Sequence, residues 1–281
     1  MAWTVGDPRP MNQTALTGVM SASRDLSVIS NNLANAMTVG FKRSTSQFVD
    51  VIGTNPSERP GVTVGQGTLQ QSIRRTETQG DLKTTQSALD LAIMGAGLFT
   101  FGDPNATPGA DPTYSYSRAG QMKLASNGDL TDSAGRQLLG LSLSGGSNPK
   151  PINLLAASNG DLSKIGGISL DSKGVISVLR NDGVQTKVAT VALARFTNED
   201  GLKNLGGSVV GETDLSGPAQ FSGPNTNGMG EVKQGALEQG NVDMTAELLR
   251  MIQAQQAYNG NARALQTGSE MLRSAIETLA R

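Results

Sequence analysis

Residues 241–279 hold a strip of side chains spaced alternately four and three apart: Met244, Leu248, Met251, Gln255, Tyr258, Ala262, Leu265, Ser269, Leu272, Ile276 and Leu279. A 3.5-residue period drifts about 20° per heptad around a straight helix, so over about five repeats it stays buried only against a helix that supercoils with it. The C-terminal stretch is therefore predicted to be a helix in need of a helical partner. The same spacing recurs near the other end in Ala15, Val19, Ala22, Leu26, Ile29, Leu33 and Ala36, inside a proline-free stretch. Gln255 and Ser269 on one strip, and the small residues on the other, favour close-packed helices with controlled register over maximal stability.

Between these strips the hydrophobic period changes to two. Leu69, Gln71 and Ile73, and again Leu89, Leu91 and Ile93, predict half-buried strands. Asn127-Gly128, Asn159-Gly160, Asp182-Gly183 and Asp200-Gly201 are dipeptides suited to tight hairpin turns. The pentapeptide Ser-Asn-Gly-Asp-Leu occurs at 126–130 and at 158–162, as two similar hairpins or as a favoured turn sequence used twice. The reading along the chain is an extension over 1–10, a helix over about 12–36 closed by Gly40, and a stretch 41–52 that is either extended or a second short helix. A Gly/Pro loop follows over 53–67, then the β region, a flexible tract over 216–230, and the C-terminal helix with Asn241 or Asp243 as its N-cap.

Composition removes most chemistries. The 281 residues contain no Cys, which excludes disulfides and thiolate sites, and no His, which removes the commonest general base and metal ligand. Twenty-three basic and 24 acidic residues give a net charge of −1, with no electrostatic footprint for nucleic acid or an anionic membrane. No run of 18 apolar residues is present, so no membrane insertion is expected, and the opening residues, with Trp3, Asp7, Pro8 and Pro10, do not resemble a cleavable secretion signal. Gly95-Ala96-Gly97 lacks the third glycine of a dinucleotide loop and reads as a turn before another strand. The carboxylates Asp81, Asp90, Asp129 and Asp161 stand singly, as turn formers do; Arg74-Arg75 and Lys42-Arg43 are short basic pairs. No cofactor is expected.

Asn31-Asn32-Leu33-Ala34-Asn35, followed by Thr38 and Gly40-Phe41-Lys42, closely resembles the N-terminal signature of bacterial flagellar axial proteins, the rod and hook family. The run Gly235 to Asp243 with Glu247, Met251, Gln255, Tyr258, Asn261-Ala262 and Leu272 resembles the family's C-terminal signature. Thr78 to Leu82, with Leu89 to Ile93, Gly95, Gly97 and Phe99, is similar to a third block. The resemblance implies an α+β fold in which N- and C-terminal helices pair in an inner coiled-coil domain and a β-rich middle forms an outer domain. The expected division is 1–10 as extension, 11–40 with 241–281 as the coiled-coil domain, 41–67 as connector and 68–240 as the β domain, with the 31–42 turn setting the angle between them. It further implies a structural subunit, not an enzyme, that assembles helically with itself into a tube around an export channel and transmits torque. The partners implied are other axial, hook-cap or rod proteins and the flagellar type III export apparatus, in the hook-basal body, without a cleaved signal. The short connection after Phe48 and the Gly235 to Glu238 start resemble the hook protein, with a rod subunit as the near alternative. A wall-degrading hydrolase would need clustered acids, and a helix-tethered adhesin would need exposed aromatics, for which Tyr114 with Tyr116 is the one hint.

Overall fold

The computed structural model describes residues 9–52, 65–103, 114–143, 146, 148–155 and 160–279, with the side chains of Arg9, Pro10 and Leu279 outside the description. Of the expected extension over 1–10, residues 1–8 lie outside the described residues and Arg9 and Pro10 belong to a helix instead; most of the 53–67 loop and Ser158-Asn159 of the second pentapeptide also lie outside. The chain forms two units: residues 1–35, 43–76 and 242–281, and residues 36–42 with 77–241. Terminal helices and a β-rich middle make the fold α+β.

In the first unit, helix α1 spans Arg9–Ala34 and α2 spans Met244–Leu279. Asp243 is the N-cap of α2: its Oδ1 accepts the N–H groups of Thr245 (2.9 Å) and Ala246 (3.2 Å), satisfying donors that the first turn leaves free. The 41–52 stretch is extended. Strand β1 (Ser44–Ile52) pairs antiparallel with β2 (Gly65–Arg75), from Ser44 opposite Arg75 to Ile52 opposite Gly65. The expected domain boundary at 68 thus falls inside a strand whose backbone hydrogen bonds go to β1, and the hairpin belongs with the terminal helices. A lone two-stranded hairpin is marginal in water, and this one packs on α1: Thr68 N–H donates to Thr17 Oγ1 (3.3 Å), and Ser21 and Thr68 hydroxyls are 2.9 Å apart.

The second unit is built on one antiparallel sheet. Its strands run in the order 165–170, 175–180, 185–191, 137–141, β5 (Leu98–Gly102), β6 (Tyr114–Ser117), 209–211 and 203–206. Two further pairs join distant segments: β3 (Leu82–Thr84) with 236–238, and β4 (Leu91–Met94) with 231–234. Leu91, Ile93, Phe99, Phe101, Leu138, Ile152, Val178 and Leu193 belong to the main core, as aliphatic as the composition demands.

Turn chemistry reads mostly as expected. Gly128, Gly160 and Gly183 have positive φ, and Gly95 and Gly97 (φ 108° and 121°) turn the chain from β4 into β5. Asp200-Gly201 instead closes a 3-10 turn over Glu199–Gly201, without positive φ. The pentapeptides differ: Gly128 and Asp129 lead into the strand 130–131 paired with 123–124, while Asp161 caps a 3-10 turn by accepting from Ser163 N–H (3.0 Å). Tyr116 is fully buried, edge-on to Phe196 at 4.8 Å and near Phe221, so the aromatic hint of a binding surface is core packing.

Candidate assembly site

In the first unit α1 and α2 run antiparallel in contact: Asn12 lies at Gly268, and Gly18 at Asn261. On α1 the strip is inward, with Ala15, Ala22 and Ile29 buried and Val19, Leu26 and Leu33 half-buried. Ala36, also buried, lies beyond the helix end. On α2 the predicted strip divides. Met251, Ala262, Leu265 and Leu272 are half-buried, whereas Met244, Leu248, Tyr258 and Ile276 are exposed, as are Gln255 and Ser269; the side chain of Leu279 is not described. Glu247, Ala254 and Gly268 are buried instead, with Asn261 half-buried. They share a face with 251, 258, 265 and 272 one notch round the helix from the 248, 255, 262, 269 row. A hydrophobicity pattern passes over this row because its members are polar or small.

Two features anchor the unit's hairpin. Asn32, fully buried, donates through Nδ2 to the Ser44 carbonyl (2.7 Å) and accepts the Ser44 N–H at Oδ1 (2.9 Å), as a paired backbone would. Arg43 Nε donates to the buried carboxylate of Glu247, with Arg250 4.0 Å away. Asn31 and Ala34 are exposed, and Asn35 donates back to the Asn31 carbonyl (2.9 Å).

In the second unit the three family blocks meet at one carboxylate. Glu238 is fully buried; Oε1 accepts from Lys42 Nζ (2.6 Å) and Gly80 N–H (3.1 Å), and Oε2 from Arg118 (3.3 Å). Lys42 also donates to the Thr78 carbonyl (2.8 Å), Arg118 to that of Gly95 (2.9 Å), and Asn241 to Thr78 (2.9 Å). Burial pushes the Lys42 ammonium below its ordinary 10.5, against the opposing pull of Glu238. Gly40 has φ 68°, donates its N–H to the Glu238 carbonyl (2.8 Å), and a Cβ there would lie 2.4 Å from the Ala119 nitrogen. Only glycine meets both demands. Phe41 is half-buried, its carbonyl accepting the Asn241 N–H (3.3 Å) and its own N–H reaching the Thr38 carbonyl (3.3 Å). Glu238 and Arg118 were not singled out from sequence. The available signal was a lone acid in the run Gly235 to Gly240, with Lys42 as a charge to match it.

The described residues thus present a helix pair with apolar rows left exposed, joined by sequence to a hydrogen-bonded β unit. The family described as flagella basal body rod protein matches residues 13–42, and that described as flagellar basal body rod FlgEFG protein C-terminal matches 233–278. The flagellar basal-body rod protein FlgG of Buchnera aphidicola (Acyrthosiphon pisum) is 33% identical over 268 residues, covering 91% of this chain and 94% of that protein. That of Borreliella burgdorferi is 32% identical over 271 residues, covering 92% and 94%. The Salmonella typhimurium flagellar hook protein FlgE is 24% identical over an alignment of 408 positions, covering 93% and 98%. The chain belongs to the flagellar rod and hook family of structural proteins, components of the bacterial flagellum.

Proposed function

We propose that this chain is a rod subunit that assembles helically with copies of itself, its terminal helices forming a coiled-coil tube wall. The carrying observation is the apolar cluster Met244, Leu248, Leu249 and Ile252 on α2, exposed by 47–57%. Water-exposed apolar clusters of this kind mark association surfaces, and the strip's 3.5-residue period suits supercoiling with a neighbour's helix. The rod position rests on length: the rod relatives match this chain nearly end to end, whereas the hook alignment needs 408 positions against 281 residues here. A hook subunit without the extra chain is the second reading, favoured by the short connection after Phe48.

In this reading the inner, coiled-coil role falls to α1 and α2 with the β1–β2 hairpin, and the subunit transmits torque around a central channel without catalysing a reaction. Its partners are its own copies, adjoining axial proteins and the type III export apparatus, which takes the chain unfolded and removes no signal. The absence of Cys suits that route. Negative-stain electron microscopy of the concentrated full chain tests the proposal. Short straight tubes are the rod outcome, curved tubes the hook outcome, and assembly undiminished by Leu249→Asp would overturn the role given to the exposed cluster.

A further inference from the structure

The helix pair has a register problem that its hydrophobic strip does not solve. α1 has 26 residues and α2 has 36, so α2 can slide one heptad, about 10 Å at 1.5 Å per residue, without uncovering any of α1. Ala15 and Ala22 on α1 and Ala254 on α2 are small and discriminate weakly between registers, while Ile29 and Glu247 are the larger buried members of the same rows.

Beside the Arg43–Glu247 ion pair, two contacts between the helices themselves discriminate, and they are reciprocal. A Cβ at Gly268 would lie 1.9 Å from Asn12 Oδ1, and a Cβ at Gly18 would lie 2.6 Å from Asn261 Nδ2. Each helix therefore seats an asparagine on the other's glycine, where an added Cβ would force the asparagine side chain to move. Asn12 Oδ1 is buried there with no hydrogen-bond partner among the described residues, a cost that apolar packing alone would not select. One heptad of slip toward the spare end of α2 would set Gly18 against Gly268, leaving a void, and press Asn261 onto Asp25 and Leu26. The opposite slip would set Asn12 against Asn261.

We infer that the pairs Asn12–Gly268 and Gly18–Asn261 form a register lock that selects one alignment of α1 and α2 from heptad-related alternatives. Buried polar residues fix register at the expense of stability in coiled coils, and here the partner glycine makes the selection steric. The inference concerns packing within one chain and holds for a rod or a hook subunit.

The native chain has no Cys, so Ser23→Cys with Gln256→Cys, on exposed positions of α1 and α2, gives a spin-label pair for distance measurement on the dilute full chain. The parent should show one distance. Asn12→Ala with Asn261→Ala, which favours helix, should add a second population displaced by up to about 10 Å, the axial rise of one heptad. A single unchanged distance in that variant would overturn the lock. The swap Asn12→Gly with Gly268→Asn should retain the parent distance alone, and a swap that unfolds or gives two distances would overturn the pairing of those residues.

Discussion

Lys42 Nζ stands 2.6 Å from Glu238 Oε1 across 196 residues of sequence, with both side chains almost wholly buried. Arg118 and the Gly80 N–H complete the shell of the carboxylate, so the closing of the β unit around Glu238 needs segments from the start, middle and end of the chain. Removing one partner of a buried pair leaves a desolvated charge, whose cost exceeds the net worth of the pair.

Lys42→Met should therefore destabilise the β unit by about 3 kcal/mol, the lower end for a broken buried pair because Arg118 remains beside Glu238. Lys42→Met with Glu238→Gln should recover part of that loss. Urea unfolding followed by circular dichroism reads both; additive losses would show that the two side chains do not act together.

Asn32→Ala should cost about 2 kcal/mol, from two hydrogen bonds lost by a buried amide. Asn32→Asp should be no milder, since a carboxylate cannot donate to the Ser44 carbonyl. Faster hydrogen exchange at the Ser44 amide, ahead of any change in the β unit, is the expected signature.

Alkaline stability should fall through Tyr116. Burial, then Glu212 at 3.3 Å, raise its phenol well above the ordinary 10.0. The unfolded chain then loses its proton first, so this contribution is complete below pH 10.0 and is lost as pH rises beyond it. Lys42 acts with the opposite sign, because its folded value is lowered: between that value and 10.5 the unfolded chain holds the proton more tightly, and stability gains as pH rises. Tyr116→Phe should flatten the decline above pH 10.0 in unfolding measured across the alkaline range, and an equally steep decline in the variant would reject the assignment.

Leu265→Asp and Leu249→Asp should separate the two faces of α2. Leu265, half-buried on the face turned to α1, should lower the melting temperature of the helix pair and block assembly while leaving the β unit folded. Leu249, 57% exposed, should leave monomer melting within about 0.5 kcal/mol, as surface changes usually do, yet reduce tubes seen by electron microscopy. Normal tubes from Leu265→Asp would remove that residue from the seam.

Much was legible from sequence because it is local or periodic. Heptad spacing marked both helices, Asp243 was a candidate cap, and Asn-Gly and Asp-Gly marked most of the tight turns. Three blocks of residues marked the family. What the strip alone could not decide was which neighbouring row of α2 its own chain covers. Glu247, Ala254, Asn261 and Gly268 are charged, polar or small, and only apposition to α1 brings them inward. Likewise the run 41–52 was ambiguous until β2 supplied its hydrogen-bond partners, and the expected boundary at 68 fell inside that pairing. The meaning of Gly40 and Lys42 was also tertiary: a left-handed turn, a close backbone approach and a buried counter-charge arise only when distant segments are brought together, and no local preference encodes that meeting.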